Sequence, residues 1–176
     1  MSNNANRSFE RITRDDLMRL AQLALGNFDD FFTRNPGHTY NGQLRLICLI
    51  QHTAKHYVDP DQCVEPDQKC GGVNDFDVCG FFQAIPGRHL FAQRRCKLDF
   101  GPSKFGRNPE EGERFKGRRV DVLWRSIDMP ASETPIESVQ RYLRDAPPNS
   151  SAKCWAAKPV VVLWPSKEFD RTIWRP

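Results

Sequence analysis

The sequence predicts an α+β fold in which helices flank a small mixed β-sheet. Two observations predict it: apolar residues recur at helical spacing in the first and last thirds of the chain, and short apolar runs stand between turn-forming residues. No internal repeat is visible, and 176 residues suit one domain of ordinary size. We therefore expect a flexible N-terminal arm over residues 1–12 and a single domain over residues 13–176.

Two helices are predicted in the first third of the chain. Thr13 precedes two aspartates and a series of leucines at helical spacing, which indicates a helix over residues 13–27 that extends through Phe32. Apolar residues recur at the same spacing over residues 41–57, which predicts a second helix with one buried face. Residues 59–72 are polar and contain two prolines and two glycines, so we expect a loop there.

Three strands are predicted in the rest of the chain. Residues 75–82, 119–124 and 160–164 are short runs of apolar and β-branched residues bounded by turn-forming residues. Each run is too short for a buried helix of ordinary length. They therefore supply the predicted sheet.

Two further helices are predicted between the last two strands. Thr134 and Glu137 have the spacing of a capping box with proline at the first helical position, so a helix should extend to about Arg144. A short helix is predicted over residues 151–157.

Two classes of protein are disfavoured by the sequence. The longest apolar stretches, at residues 46–50 and 160–164, are far shorter than the ~20 residues that cross a bilayer. The N-terminus lacks the apolar segment of a signal peptide. We expect a cytoplasmic protein with no membrane partner, whose six cysteines are reduced thiols.

The charge is distributed unevenly along the chain. Residues 86–126 contain 11 Lys/Arg against 5 Asp/Glu, a net charge of +6, whereas residues 1–85 contain 8 against 11, a net charge of −3. A basic middle third is typical of proteins that bind polyanions such as nucleic acid or nucleotide phosphates. An ordinary solvated surface has the same appearance.

Three aspartates form the most informative pattern. Asp75 and Asp77 are two residues apart in a predicted strand, so their side chains share a face with Cα atoms about 7 Å apart. Asp121 lies between two valines in the next predicted strand. If the two strands pair, three carboxylates meet at one patch, and a divalent cation is needed to neutralise their repulsion.

Such a cluster favours Mg²⁺ or Mn²⁺, because these ions take oxygen ligands and complete their coordination with water and substrate phosphates. The alternative is that the acids are solvated at strand ends. Aspartate is uncommon within strands, which favours a functional site.

The arrangement resembles the active site of the polymerase-beta-type nucleotidyltransferase superfamily. In that family a glycine pair precedes a strand that bears Asp-x-Asp, and a third acid lies on a neighbouring strand. The resemblance implies that Asp75 and Asp77 bind the metal ions that carry a nucleoside triphosphate, and that Asp121 completes the triad and helps to deprotonate the acceptor. It covers approximately residues 44–124.

Two positions fit the glycine pair of that family. One is Gly71 with Gly72, immediately before the Asp-x-Asp strand. The other is the segment at residues 51–54, with the polar loop as an insertion. By resemblance, the glycine pair would contact the triphosphate.

Further candidate residues for phosphate binding lie in the basic segment. Ser103, Lys104 and Arg107 stand in a glycine-containing stretch that can supply hydrogen-bond donors to a phosphate, although a plain surface turn has the same composition. Arg119 is in phase with Asp121 on its strand, and it either binds the triphosphate or pairs with the acid.

A zinc site is a less favoured alternative. His52 and His56 are four residues apart on a predicted helix, and Cys63 and Cys70 follow in the loop. The cysteine spacing is not that of a typical zinc motif, and the sequence leaves this site open.

The sequence thus predicts a metal-dependent nucleotidyltransferase. A metal-dependent nuclease would use the same acids with water as the nucleophile. A non-catalytic nucleic-acid-binding protein would instead use the basic residues between 88 and 119.

Overall fold

A six-stranded mixed sheet forms the centre of the protein. The computed structural model describes residues 7–63, 72–88 and 95–176, and within them the strand order is β3-β4-β2-β1-β5-β6. β2 and β4 are parallel, and every other neighbouring pair is antiparallel. The elements in chain order are α1 (Arg14–Arg34), β1 (Leu44–Leu49), α2 (Gln51–Val58), β2 (Phe76–Gln83), β3 (Arg95–Asp99), β4 (Arg119–Ile127), α3 (Pro135–Arg144), α4 (Ser151–Ala156), β5 (Val160–Trp164) and β6 (Thr172–Trp174). The α+β prediction is confirmed.

Helix α1 covers one face of the sheet. Thr13 is the N-cap, as predicted, and its side chain and that of Asp16 exchange hydrogen bonds with each other's backbone N–H in a capping box. Leu17, Leu20 and Phe28 are buried against the sheet. Phe28 packs where Gly80 of β2 has no side chain, and a Cβ atom at that position would overlap its ring.

Helices α3 and α4 lie on the opposite face. The capping box of α3 between Thr134 and Glu137 is present as predicted. Val139 of α3 and Trp155 of α4 are buried in the same hydrophobic cluster as Phe81 of β2. The sheet is thus enclosed between α1 on one side and the α3–α4 pair on the other.

The prediction of a helix over residues 41–57 is wrong in its first part. Leu44–Leu49 is strand β1, and only Gln51–Val58 is helical. The strand is buried on both faces, with Ile47 and Leu49 in the cluster under α1 and Leu46 in the other. A continuous apolar run of this kind matches helical and strand periods equally well.

Strands β3 and β6, which the sequence did not predict, form the two edges of the sheet. β3 is polar, as edge strands commonly are, and β6 has three residues. The predicted strands at residues 75–82, 119–124 and 160–164 correspond to β2, β4 and β5.

Part of the predicted arm lies against the domain. Ser8 pairs with Val73 through two backbone hydrogen bonds, and Ile12 is buried. Residues 1–6 lie outside the description. Within the described ranges, no helix has the length and apolar character needed to cross a membrane.

Candidate functional site

Asp77 and Asp121 lie side by side on the two parallel strands. The register of β2 and β4 pairs Asp77 with Asp121 and then Val78 with Val122. Because strand side chains alternate, the valines enter the core under α1, and the aspartates belong to the opposite face. The strand register therefore places two acidic residues together.

Arg119 lies among three carboxylates next to this pair. Its Nη2 is 2.5 Å from Asp75 Oδ2, its Nε is 3.1 Å from Asp121 Oδ1, and its Nη1 pairs with Glu111. Burial lowers the pKa of Arg119, but Asp121, Asp75 and Glu111 together outweigh burial and raise it. Of the two roles that the sequence leaves open for Arg119, the structure has the ion pair. Glu111 is an additional acid that the sequence patterns did not single out.

These contacts leave the three aspartates unequally accessible. The side chain of Asp121 is 0% exposed, against 21% for Asp75 and 16% for Arg119. Asp77 is nearly buried. Access to Asp121 from solvent therefore requires that neighbouring side chains move.

The start of α2 is hydrogen-bonded to the backbone of Asp77. The Asp77 N–H donates to Thr53 Oγ1 at 3.3 Å, and the Ile50 N–H donates to the Asp77 carbonyl at 3.0 Å. Between them, Gln51 has a φ of 61°, in the left-handed region that non-glycine residues seldom occupy. Outliers of this kind concentrate at functional sites.

A cavity of about 510 Å³ opens beside the aspartates. Its acidic part contains Asp75 and Asp77, and a second part contains Arg125, Ser151 and Trp155. The remaining lining residues are Gln51, His52, Leu123 and Trp124. Sequence analysis missed Arg125, although its position four residues after Asp121 places it on the same face of β4.

The charges around this cavity affect the pKa of His52. Burial lowers its pKa, and the cationic side chains of Lys158, Arg7 and Lys55 lower it further, while Asp75 opposes them. Basic side chains from three parts of the chain therefore act electrostatically on His52, which lines the cavity. Such surroundings favour an anionic ligand.

The donor chemistry of the aspartates fits Mg²⁺ or Mn²⁺, since carboxylate oxygens are the ligands that these ions prefer. In the part of the chain that the structure describes, however, no three His, Cys, Asp or Glu side chains are arranged to hold an ion. Arg119 instead donates a hydrogen bond to Asp75 and lies within ion-pair distance of Asp121. Metal binding at the three aspartates therefore requires that these contacts rearrange.

Gly72 of the predicted glycine pair is not among the residues that line the cavity. Gly72 has a φ of 76°, and a Cβ atom there would lie 2.6 Å from the Ser8 carbonyl oxygen. The close approach of the N-terminal segment therefore explains this glycine. Gly71 lies outside the described residues.

The predicted phosphate-binding stretch is located on the α1 side of the sheet. Lys104 Nζ forms an ion pair with Asp16 of α1 at 2.9 Å, and Phe105 belongs to the cluster under that helix. Ser103 Oγ is buried without a hydrogen-bond partner, and Arg107 is exposed. None of these three predicted phosphate ligands lines the cavity that contains Asp75 and Asp77.

The two histidines of the predicted zinc site have different surroundings. His56 is buried, and its Nε2–H donates to the Glu10 carbonyl at 2.9 Å. His52 is exposed at the cavity. The side chain of Cys63 and the whole of Cys70 lie outside the description.

Several cations of the basic segment have internal partners. Arg118 is buried and donates from Nε to the Phe105 carbonyl at 2.8 Å, while Arg119 and Lys104 form the ion pairs given above. Apart from these, the exposed cations of the segment are Arg88, Lys97, Arg107, Arg114 and Lys116. The predicted nucleic-acid surface over residues 88–119 therefore keeps these five charges among the described residues, while residues 89–94 and the side chain of Arg95 lie outside the description.

Comparison with models of known families, with curated proteins and with solved structures finds no match. The chemistry of the site therefore follows from its own residues, from the register of β2 with β4 and from the cavity beside these strands.

Proposed function

We propose that the protein is a metal-dependent nucleotidyltransferase, which moves a nucleoside monophosphate from a nucleoside triphosphate to an acceptor. The observation that carries this proposal is the pairing of Asp77 with Asp121 on the adjacent parallel strands β2 and β4. Asp75 immediately precedes β2. This arrangement agrees with the Asp-x-Asp and third-acid pattern of the superfamily that the sequence resembles.

The three aspartates would hold Mg²⁺ or Mn²⁺. When bound, such an ion neutralises charge on the phosphate oxygens and orients the attacking and leaving oxygens. Arg119 would keep Asp75 and Asp121 in place and partially compensate their charge before the ion arrives. The volume of the cavity, about 510 Å³, lies within the range of small-molecule sites.

The start of α2 supports the second of the two alignments with the family. Gln51 and His52 line the same cavity as Asp75 and Asp77, whereas Gly72 lies against Ser8. Gln51 also has the backbone conformation that usually requires glycine. We therefore assign residues 51–54, and not Gly71 with Gly72, to the position of the family's glycine pair.

The proposal is tested by measuring pyrophosphate release from each nucleoside triphosphate with Mg²⁺, in the presence of RNA or protein acceptors. We expect release by the wild-type protein and a loss of at least about a hundredfold in Asp77→Asn, since the variant removes a metal-binding charge but little volume. Asp128→Asn is the matched control, because the Asp128 side chain is 75% exposed and does not line the cavity.

Three outcomes would contradict the proposal. Full activity in Asp77→Asn would show that the reaction does not depend on the aspartates. Scission of RNA or DNA without pyrophosphate release would indicate a nuclease. Nucleic-acid binding that is steeply salt-dependent but indifferent to Mg²⁺ and to the aspartates would indicate a non-catalytic binding protein.

A further inference from the structure

Arg125 occupies the part of the cavity away from the aspartates. It follows Asp121 by four residues on β4, so the two side chains share a face with Cα atoms about 13 Å apart. Arg125 Nη2 donates to Ser151 Oγ at 2.8 Å, and the guanidinium carbon lies 5.0 Å from the centre of the Trp155 ring. Both contacts come from α4, so the guanidinium is fixed by a second element.

This cation has no anionic partner within the described ranges. No described carboxylate lies within ion-pair distance of Arg125, whereas Arg119, six residues earlier, contacts three. The Nε of Arg125 is also buried without a hydrogen-bond acceptor. The guanidinium is only partly buried and donates one hydrogen bond, from Nη2 to Ser151, so it can also receive an anionic ligand.

We infer that Arg125 is the residue that binds the phosphate chain of the nucleotide in this cavity. The inference deepens the proposed function and rests on it for the identity of the ligand. A guanidinium presents parallel N–H donors that match two phosphate oxygens, which a lysine ammonium does not. Ser151 and Trp155 restrict its orientation, so little further freedom is lost on binding.

The charges around the cavity agree with a ligand that is anionic at one end and coordinates a cation at the other. Asp75 and Asp77 supply oxygen ligands for a divalent ion. Arg125 supplies positive charge, and the effect of Lys158 on His52 places a further cation nearby. A metal-bound triphosphate has both features.

The test is calorimetric titration of the full-length protein with inorganic tripolyphosphate and with ATP, with Mg²⁺ present throughout. We expect Arg125→Gln to weaken binding of both ligands by about tenfold or more, since a charge-assisted hydrogen bond is lost. Arg125→Lys should give an intermediate loss, because it retains charge without the two parallel donors. Arg144→Gln is the control, since its side chain is 64% exposed and does not line the cavity.

Unchanged tripolyphosphate affinity in Arg125→Gln, or the absence of tripolyphosphate binding to the wild-type protein, would overturn the inference. Thermal unfolding of each variant checks that the fold is retained. If Arg125→Gln does not fold, the tripolyphosphate affinity of Arg125→Lys is compared with that of the wild-type protein instead. The two proposals can fail separately. Arg125-dependent tripolyphosphate binding without nucleotide transfer would contradict only the transferase, whereas transfer with an unchanged ATP KM in Arg125→Gln would contradict only the role of Arg125.

Discussion

Arg119 has the largest electrostatic role of any single residue at the site. Its guanidinium contacts Asp75, Glu111 and Asp121, and Asp121 has no exposed side-chain surface. A buried carboxylate without a counter-ion is strongly unfavourable, so the arginine acts as the internal cation of this cluster. The same contacts occupy oxygens that a divalent ion would need.

Replacing Arg119 should therefore have opposite effects on stability and on metal affinity. We expect Arg119→Met to lower the free energy of unfolding by about 3 kcal/mol at pH 7 in the absence of divalent cations, because it removes the guanidinium that lies beside the buried Asp121 carboxylate. Mn²⁺ should restore more stability to the variant than to the wild-type protein, since the ion no longer competes with the guanidinium.

Thermal unfolding with and without Mn²⁺ measures both effects. Arg119→Lys is the control that retains the charge, and it should lie between the wild-type protein and the methionine variant. A loss of stability in Arg119→Met that Mn²⁺ does not reduce would show that no cation replaces the guanidinium.

At the scale of elements, the segment between β3 and β4 depends on one side chain. Asp99 accepts hydrogen bonds from the N–H groups of Gly101, Lys116 and Gly117, at 2.8, 2.8 and 2.9 Å. The two ends of the segment are thereby held together immediately before Arg119. The loop therefore contributes to the position of the arginine.

These hydrogen bonds predict how stability depends on pH. Burial raises the pKa of Asp99, but the three backbone donors outweigh burial and lower it. The folded-state pKa is thus below the unfolded value of about 3.9. The stabilisation is complete at pH values above the unfolded pKa and is lost as the pH falls through the folded pKa.

We expect Asp99→Asn to lower the free energy of unfolding by about 1–2 kcal/mol at pH 7. The difference from the wild-type protein should become smaller below pH 4. Urea denaturation at pH 7 and pH 3 measures it, with Asp128→Asn as the exposed control. An equal difference at both pH values would contradict the role assigned to the Asp99 carboxylate.

Local signals predicted the elements that they determine. The predicted N-cap at Thr13 and the predicted capping box at Thr134 identified the starts of α1 and α3, because in both cases the side chain and the backbone satisfy each other locally. Strand β1 was predicted as part of a helix because a continuous apolar run fits the helical period and the strand period equally well. β3 and β6 were missed because edge strands are short or polar, and their pairing depends on distant segments.

At the scale of the molecule, the site depends on which strands are neighbours. Alternation predicted that Asp75 and Asp77 share a face, but the contact with Asp121 exists only because β4 pairs in parallel with β2. The position of Glu111 beside Arg119 depends on this topology and on a loop, and the position of Arg125 depends on the topology and on α4. No local pattern contains this information, so the sequence predicted the acids without most of their surroundings.

We propose that Asp75, Asp77 and Asp121 form one site for a divalent cation. Anomalous diffraction from crystals soaked with Mn²⁺ and a non-hydrolysable nucleoside triphosphate tests it most directly. We predict an anomalous peak in contact with the carboxylates of Asp77 and Asp121, with Arg119 displaced from at least one aspartate, and no peak in Asp77→Asn crystals. A peak only at a different position, or Arg119 still paired with both Asp75 and Asp121 at saturating Mn²⁺, would contradict the account.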